Sequence, residues 1–131
     1  VFEMIWQESR EELTAMAPRA VLRAAALKLT HGGQVVELGP DVNLYTFGRD
    51  AQSDMVIADR MASRQHARIE RRRDKFVLID HSTNGTFCTV QGEKEIELRR
   101  EEFTLRGRGR IAFGHGYEED PAESVEFDTE G

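Results

Sequence analysis

From Ala20 onward the chain is a succession of short alternating segments cut by glycine-rich turns, and this punctuation points to a β architecture. Leu27 and Leu29 alternate with Lys28 and Thr30, as a half-buried strand requires. His31-Gly32-Gly33 supplies a turn into a strand at Gln34–Leu38, and Gly39-Pro40-Asp41 supplies another into Asn43–Gly48. Ala67 and Ile69 then alternate with His66, Arg68 and Glu70, and Arg72-Arg73-Asp74 turns the chain into Lys75–Asp80. Further short strands are predicted at Thr86–Val90, Lys94–Leu98, Phe103–Arg106, Arg110–Phe113 and Ser124–Asp128. In the last, Val125 and Phe127 face one way, Glu126 and Asp128 the other. Many short strands with such turns predict an all-β domain, an antiparallel sandwich or barrel.

Residues 1–19 read differently, as an N-terminal arm or linker. Val1–Trp6 is a short apolar strand candidate, and Ser9-Arg10-Glu11-Glu12 has capping-box spacing for a helical turn or two through Met16, stopped by Pro18. The expected division is therefore an arm at 1–19, one domain at 20–128 and a tail at 129–131. A length of 131 residues suits one domain with a modest core. The chain opens on Val1 rather than Met and is expected to continue upstream. No apolar run approaches the length of a bilayer span, so no membrane contact by this segment is expected. Cys88 is the only cysteine; it excludes an internal disulfide and suits a cytoplasmic location.

The net charge of −6 conceals an uneven distribution. Residues 118–131 hold seven acids and no base, an end expected to be solvated, while the rest carries 17 acids against 18 bases. Arginine is concentrated between Gly48 and Arg110, mostly as solvated strand faces.

Three loop segments share a chemical theme: Gly48-Arg49 at a strand end, Ser63-Arg64-Gln65-His66 leading into the next long strand, and Ser82-Thr83-Asn84-Gly85-Thr86 after Asp80. Together they offer guanidinium groups, hydroxyls and a carboxamide on loops, where binding groups concentrate. That set suits a phosphate dianion, since arginine gives forked, charge-assisted hydrogen bonds and hydroxyls fill the remaining acceptor sites. Glycine before Arg49 and after Asn84 permits tight backbone paths. His66 reads as a buttress for the Ser63 loop rather than as an acid–base residue, because no catalytic partner accompanies it.

The order of these segments resembles the forkhead-associated (FHA) domain family. Gly48-Arg49, Ser53-Asp54-Met55-Val56-Ile57, Ser63-Arg64-Gln65-His66-Ala67-Arg68-Ile69, Asp80 with Ser82-Thr83-Asn84-Gly85-Thr86-Phe87, and Ile111-Ala112-Phe113-Gly114 carry the resemblance, over roughly Ala20 to Phe127. It implies a two-sheet antiparallel β-sandwich of the SMAD/FHA-like type that captures phosphothreonine-containing segments with loops at one end. By the same resemblance Arg49 and Ser63 contact phosphate, Arg64 assists, Thr83 lies near the phosphothreonine and Asn84 holds the peptide main chain. Gly48, His66 and Gly85 support the loops. The partner implied is a phosphothreonine-containing protein or peptide, in trans or within the parent chain; no cofactor is implied. Two positions depart from the family pattern: Thr89 stands where an asparagine is common, and Gly107-Arg108-Gly109-Arg110 replaces a common Gly-Asp, expected here as a solvated hairpin.

A second resemblance concerns the start. Val1-Phe2-Glu3-Met4-Ile5-Trp6-Gln7 is similar to the last strand of a class III adenylate or guanylate cyclase catalytic domain, and some bacterial cyclases carry an FHA domain directly after it. Leu98-Arg99-Arg100-Glu101-Glu102-Phe103 resembles that subset too. This implies the regulatory C-terminal part of a cyclase whose metal-binding aspartates lie upstream, with residues 1–8 covering their apolar side chains by pairing in a homodimer.

Other functions fit less well. No G-x-S-x-G, H-E-x-x-H or G-x-x-x-x-G-K motif occurs, so this segment is not expected to be an enzyme. Four scattered histidines and one cysteine argue against a metal cage. Asp80-His81-Ser82 invites a triad reading, but adjacent strand residues point to opposite faces. Nucleic-acid binding through Arg71-Arg72-Arg73 and Arg106-Gly107-Arg108-Gly109-Arg110 lacks stacking aromatics within those runs. A third alternative is an FHA scaffold that binds proteins without phosphate.

Overall fold

A computed structural model describes residues 26–129. The expected N-terminal strand, the helical turns after Ser9, the cyclase-like Val1–Gln7 segment and pairing through residues 1–8 all lie outside the described residues.

Among the described residues eleven strands form two sheets. In chain order they are β1 (Leu27–His31), β2 (Gln34–Leu38), β3 (Leu44–Gly48), β4 (Met55–Val56), β5 (Ala67–Arg72), β6 (Lys75–Asp80), β7 (Thr86–Val90), β8 (Ile96–Leu98), β9 (Glu102–Thr104), β10 (Arg108–Phe113) and β11 (Val125–Asp128). One sheet runs β2-β1-β11-β10-β7-β8 and the other β4-β3-β5-β6-β9. Every pairing is antiparallel except β3 with the two-residue β4. No helix occurs among the described residues, and none there is long and apolar enough to cross a membrane.

Alternation decides which faces meet. Leu27 and Leu29 of β1, Ile111 and Phe113 of β10, and Val125 and Phe127 of β11 turn inward from one sheet. Phe47, Ile69, Phe76 and Leu78 oppose them from the other. The Phe47 and Phe113 rings bridge the layers with centroids 5.4 Å apart. Cys88 is buried in this core, and desolvation pushes its thiol up to about 12, which leaves it protonated and unreactive.

Three features depart from simple alternation. All of β6 from Phe76 to Asp80 is buried. Val77 faces Glu70 and Thr104, and Ile79 faces Arg68 and Glu102, so the stems of long charged residues roof the outer face of this strand. Their heads form a ladder in which Arg68 and Arg72 both bind Glu70, and Arg72 also binds Glu102 at 2.9 Å. Next, β10 begins at Arg108, so the expected solvated hairpin at 107–110 is largely a strand between β11 and β7. Gly109 lies there against the Phe127 ring, where a Cβ would sit 2.6 Å from it. Finally, the acidic stretch folds onto the sandwich as far as residue 129: Glu123 accepts the Ala58 N–H at 2.9 Å, and Glu126 and Asp128 lie in β11.

Candidate phosphate-binding rim

Strand register gathers the loops. Phe47 faces Ala67 across β3–β5, and Ala67 faces Asp80 across β5–β6. The exit of β3, the entry of β5 and the exit of β6 therefore share one rung at one end of their sheet. In the other sheet Phe113 faces Thr86, so the exit of β10 meets the entry of β7. The Gly114 N–H closes onto the Gly85 carbonyl at 2.9 Å, joining the two ends.

Arg49 leaves this rung immediately after β3. Its backbone N–H donates to the Ser63 carbonyl at 3.1 Å and its Nε–H to the Ala62 carbonyl at 2.5 Å. The side chain is exposed, and its terminal Nη groups have no protein partner among the described residues. One edge of the fork is thus fixed and the other is offered to solvent. Gly48 makes the crossing possible: a Cβ there would stand 1.9 Å from the Arg64 carbonyl oxygen.

Ser63 is held at both ends. Its N–H donates to His66 Nδ1 at 2.9 Å, and its Oγ accepts the Thr83 N–H at 3.1 Å. The hydroxyl proton remains available to an acceptor outside the protein. Since Nδ1 accepts, the His66 proton sits on Nε2, which donates to the Gly85 carbonyl at 2.9 Å. The ring is fully buried and stands edge-on to Phe113 at 5.3 Å. Burial lowers its pKa below the ordinary histidine value, against the opposing pull of the Gly85 bond, Asp80 and Asp59. A neutral ring bridging two loops acts as a strut.

Asp80 organises the third loop from below. It is buried, its Oδ1 accepts from the Ser82 and Thr86 hydroxyls at 2.6 Å each, and its Oδ2 accepts the Arg100 N–H at 2.9 Å. Burial by itself raises the carboxyl pKa; the hydrogen bonds from Arg100, Ser82 and Thr86 outweigh it and hold the pKa below the ordinary range. Ser82 Oγ accepts the Gly85 N–H at 2.7 Å, and Gly85 has φ +96°, so the turn is built for glycine. That turn raises Thr83 and Asn84 to the rim. Asn84 Nδ2 donates to the Met61 carbonyl at 3.0 Å, leaving Oδ1 unpartnered among the described residues. Arg64 is exposed; among the described residues its backbone carbonyl accepts the Asp50 N–H at 3.2 Å and its guanidinium has no hydrogen-bond partner.

The fold therefore brings Arg49, Ser63, Thr83 and Asn84 into one hydrogen-bonded cluster, with Arg64 beside it and Gly48, His66 and Gly85 beneath. The triad arrangement of Asp80, His81 and Ser82 is not made: the Asp80 carboxylate is committed to Ser82, Thr86 and Arg100, whereas the exposed His81 bonds the Arg68 guanidinium. Sequence reasoning missed the Met61 and Ala62 carbonyls, which fix Asn84 and Arg49, and the Phe113 ring behind His66. Backbone acceptors leave no mark in residue type. Phe113 is legible in the sequence as a strand residue and as part of the Ile111–Gly114 motif, but not as the ring behind His66.

Comparison with known proteins agrees with this construction. The FHA domain family model matches residues 45–114, from within β3 to just past β10. FHA-1 of Mycobacterium tuberculosis Rv1747 is similar at 20% identity and a TM-score of 0.57, over 79% of this chain and 94% of that one. The FHA domain of CT664 from Chlamydia trachomatis is similar at 25% identity and a TM-score of 0.57, over 79% of this chain and 96% of that one. The N-terminal FHA domain of Rad53p from S. cerevisiae, solved in complex with a phosphothreonine peptide, is similar at 18% identity and a TM-score of 0.57, over 79% and 90%. No curated protein matches the chain by sequence. With the family model spanning more than half of the chain and the sandwich common to these structures, the chain belongs to the FHA domain family.

Proposed function

We propose that the rim binds phosphothreonine-containing segments of partner proteins, and that this part of the chain acts as a non-catalytic interaction module. The observation carrying this reading is the clamp on Ser63, whose carbonyl binds Arg49 and whose Oγ binds Thr83. It sets an arginine fork, a free hydroxyl proton and a carboxamide around one space. In this assignment the Arg49 Nη groups and the Ser63 hydroxyl donate to phosphate oxygens, and Arg64 adds long-range attraction. Thr83 lines the threonine methyl side, and Asn84 uses its free Oδ1 to hold the peptide backbone. Nothing there is set up to attack phosphorus, since His66 is neutral and buried and the one thiol is protonated in the core.

The basic runs favour this reading over nucleic-acid binding, because four of their arginines are engaged by neighbouring side chains. Arg72 binds Glu70 and Glu102, Arg106 binds Glu93, Arg108 binds Asp128, and Arg110 lies 3.6 Å over the Tyr117 ring. As an extension, resting only on the Val1–Gln7 and Leu98–Phe103 resemblances, the module serves as the regulatory end of a nucleotide cyclase; the coding sequence upstream of Val1 tests that.

The direct test is calorimetry with a phosphothreonine peptide library and its unphosphorylated counterpart. Binding is expected only to the phosphorylated members, and Arg49→Ala is expected to cost about 2–5 kcal/mol of it. Protonating the phosphate below its second pKa of about 6 is expected to weaken binding modestly. Equal affinity for both peptide forms points instead to a phosphate-independent interaction domain.

A further inference from the structure

We propose that Asp59, His115 and Asp120 form a divalent-cation site of the zinc class that staples the loop before β5 to the loop after β10. One ligand atom from each residue lies within 4.8 Å of the other two. The Asp59 and His115 side chains are only 8% and 10% exposed, whereas Asp120 is exposed and leaves a route in from solvent.

Hydrogen-bond bookkeeping places a positive centre between His115 and Asp59. His115 Nδ1 lies 2.9 Å from the Gly116 carbonyl oxygen, which only accepts, so Nδ1 carries a proton. In the neutral ring Nε2 then presents a lone pair, and it faces Asp59 Oδ2 at 2.5 Å, another acceptor. Two acceptors that close need a positive centre between them, either a proton or a metal ion. An imidazole whose other nitrogen is tied to a backbone carbonyl has the outer-shell support usual for a metal-binding histidine. Both carboxylates are also braced: Asp59 Oδ1 accepts the Met61 N–H at 2.8 Å, and Asp120 Oδ1 accepts the Ala122 N–H at 3.1 Å. Glu119 and Glu123 line the same hollow, where Arg60 is the only lysine or arginine, so the local field attracts cations.

The donor set selects among ions. Imidazole nitrogen favours zinc and its neighbours over magnesium or calcium, and two carboxylates complete a mixed nitrogen–oxygen site with room for water. Metal–ligand distances of about 2.0–2.2 Å place ligand atoms roughly 3–3.5 Å apart, so Asp59 and His115 need part by no more than about 1 Å. Asp59 and His115 are 56 residues apart, which is why no spacing motif announces the site.

The test is zinc chloride titration by calorimetry, with thermal denaturation alongside, on the wild type and on Asp120→Asn, His115→Gln and His81→Gln. Asp120→Asn is the informative variant, because Asn keeps an oxygen for the Ala122 N–H and leaves the Asp59–His115 contact untouched. Saturable, one-to-one zinc binding that raises the Tm is expected for the wild type and His81→Gln, is lost in the other two, and is not reproduced by magnesium chloride. No binding by the wild type, or a zinc response that survives Asp120→Asn, overturns the proposal and leaves a protonated His115–Asp59 pair. The readout involves no phosphopeptide, so it stands or falls apart from the reading of the rim.

Discussion

The rim's chemistry depends on single residues that never touch a ligand. Asp80 is the clearest: one buried carboxylate receives two hydroxyls and a backbone N–H and thereby fixes the turn that carries Thr83 and Asn84. Replacing it with Asn turns an acceptor into an NH2 donor facing the Arg100 N–H or the two hydroxyls. A loss of about 1–3 kcal/mol in urea denaturation is expected. The same residue and His66 shape the acid limb of stability. His66 has a folded pKa below its unfolded value of about 6.5, so the unfolded chain binds more protons there and stability falls as the pH drops from that value. Asp80 also has a depressed folded pKa, so its contribution is present above the ordinary carboxyl value of about 4 and is lost as the pH falls through the lower folded value. Urea melts across these windows are expected to show two successive losses, with the lower one reduced in Asp80→Asn.

At the scale of elements, the site is a product of where strands stop. β3, β5 and β6 share the Phe47–Ala67–Asp80 rung, so loops distant in sequence leave from one place. β3 ends at Gly48 because the chain must pass against the Arg64 carbonyl. Gly48→Ala drives a methyl into that backbone, and the end of β3 can yield only by separating from the Ser63 loop. We expect a cost of about 1–3 kcal/mol and a fall in phosphopeptide affinity, measured together by denaturation and calorimetry. The strands themselves were largely legible in the sequence, since ten of the eleven lie on segments whose alternation or flanking turns mark them. β4 was not, because two residues carry no period. β10 starts earlier than its alternation suggested, since Arg108 and Gly109 look like a turn until the Phe127 ring and Asp128 are placed beside them.

For the molecule as a whole, two sheets share one core and the rim rides on its end. Leu78, fully buried on β6, belongs to the core cluster with Phe47 and Ile111, and its side chain makes none of the rim's hydrogen bonds. Leu78→Ala is expected to cost about 2–5 kcal/mol and to lower the Tm, while phosphopeptide affinity below the transition is unchanged. Loss of both would mean that core and rim are coupled. The sequence by itself determined the β class, most strands and the residue types at the rim, because period, turn chemistry and motif order are local and written in side chains. Tertiary structure alone decided which carbonyls hold Arg49 and Asn84, which arginines are spent on neighbours, and that Asp59 meets His115. Those outcomes depend on register between strands and on backbone acceptors, and neither has a signature in residue identity.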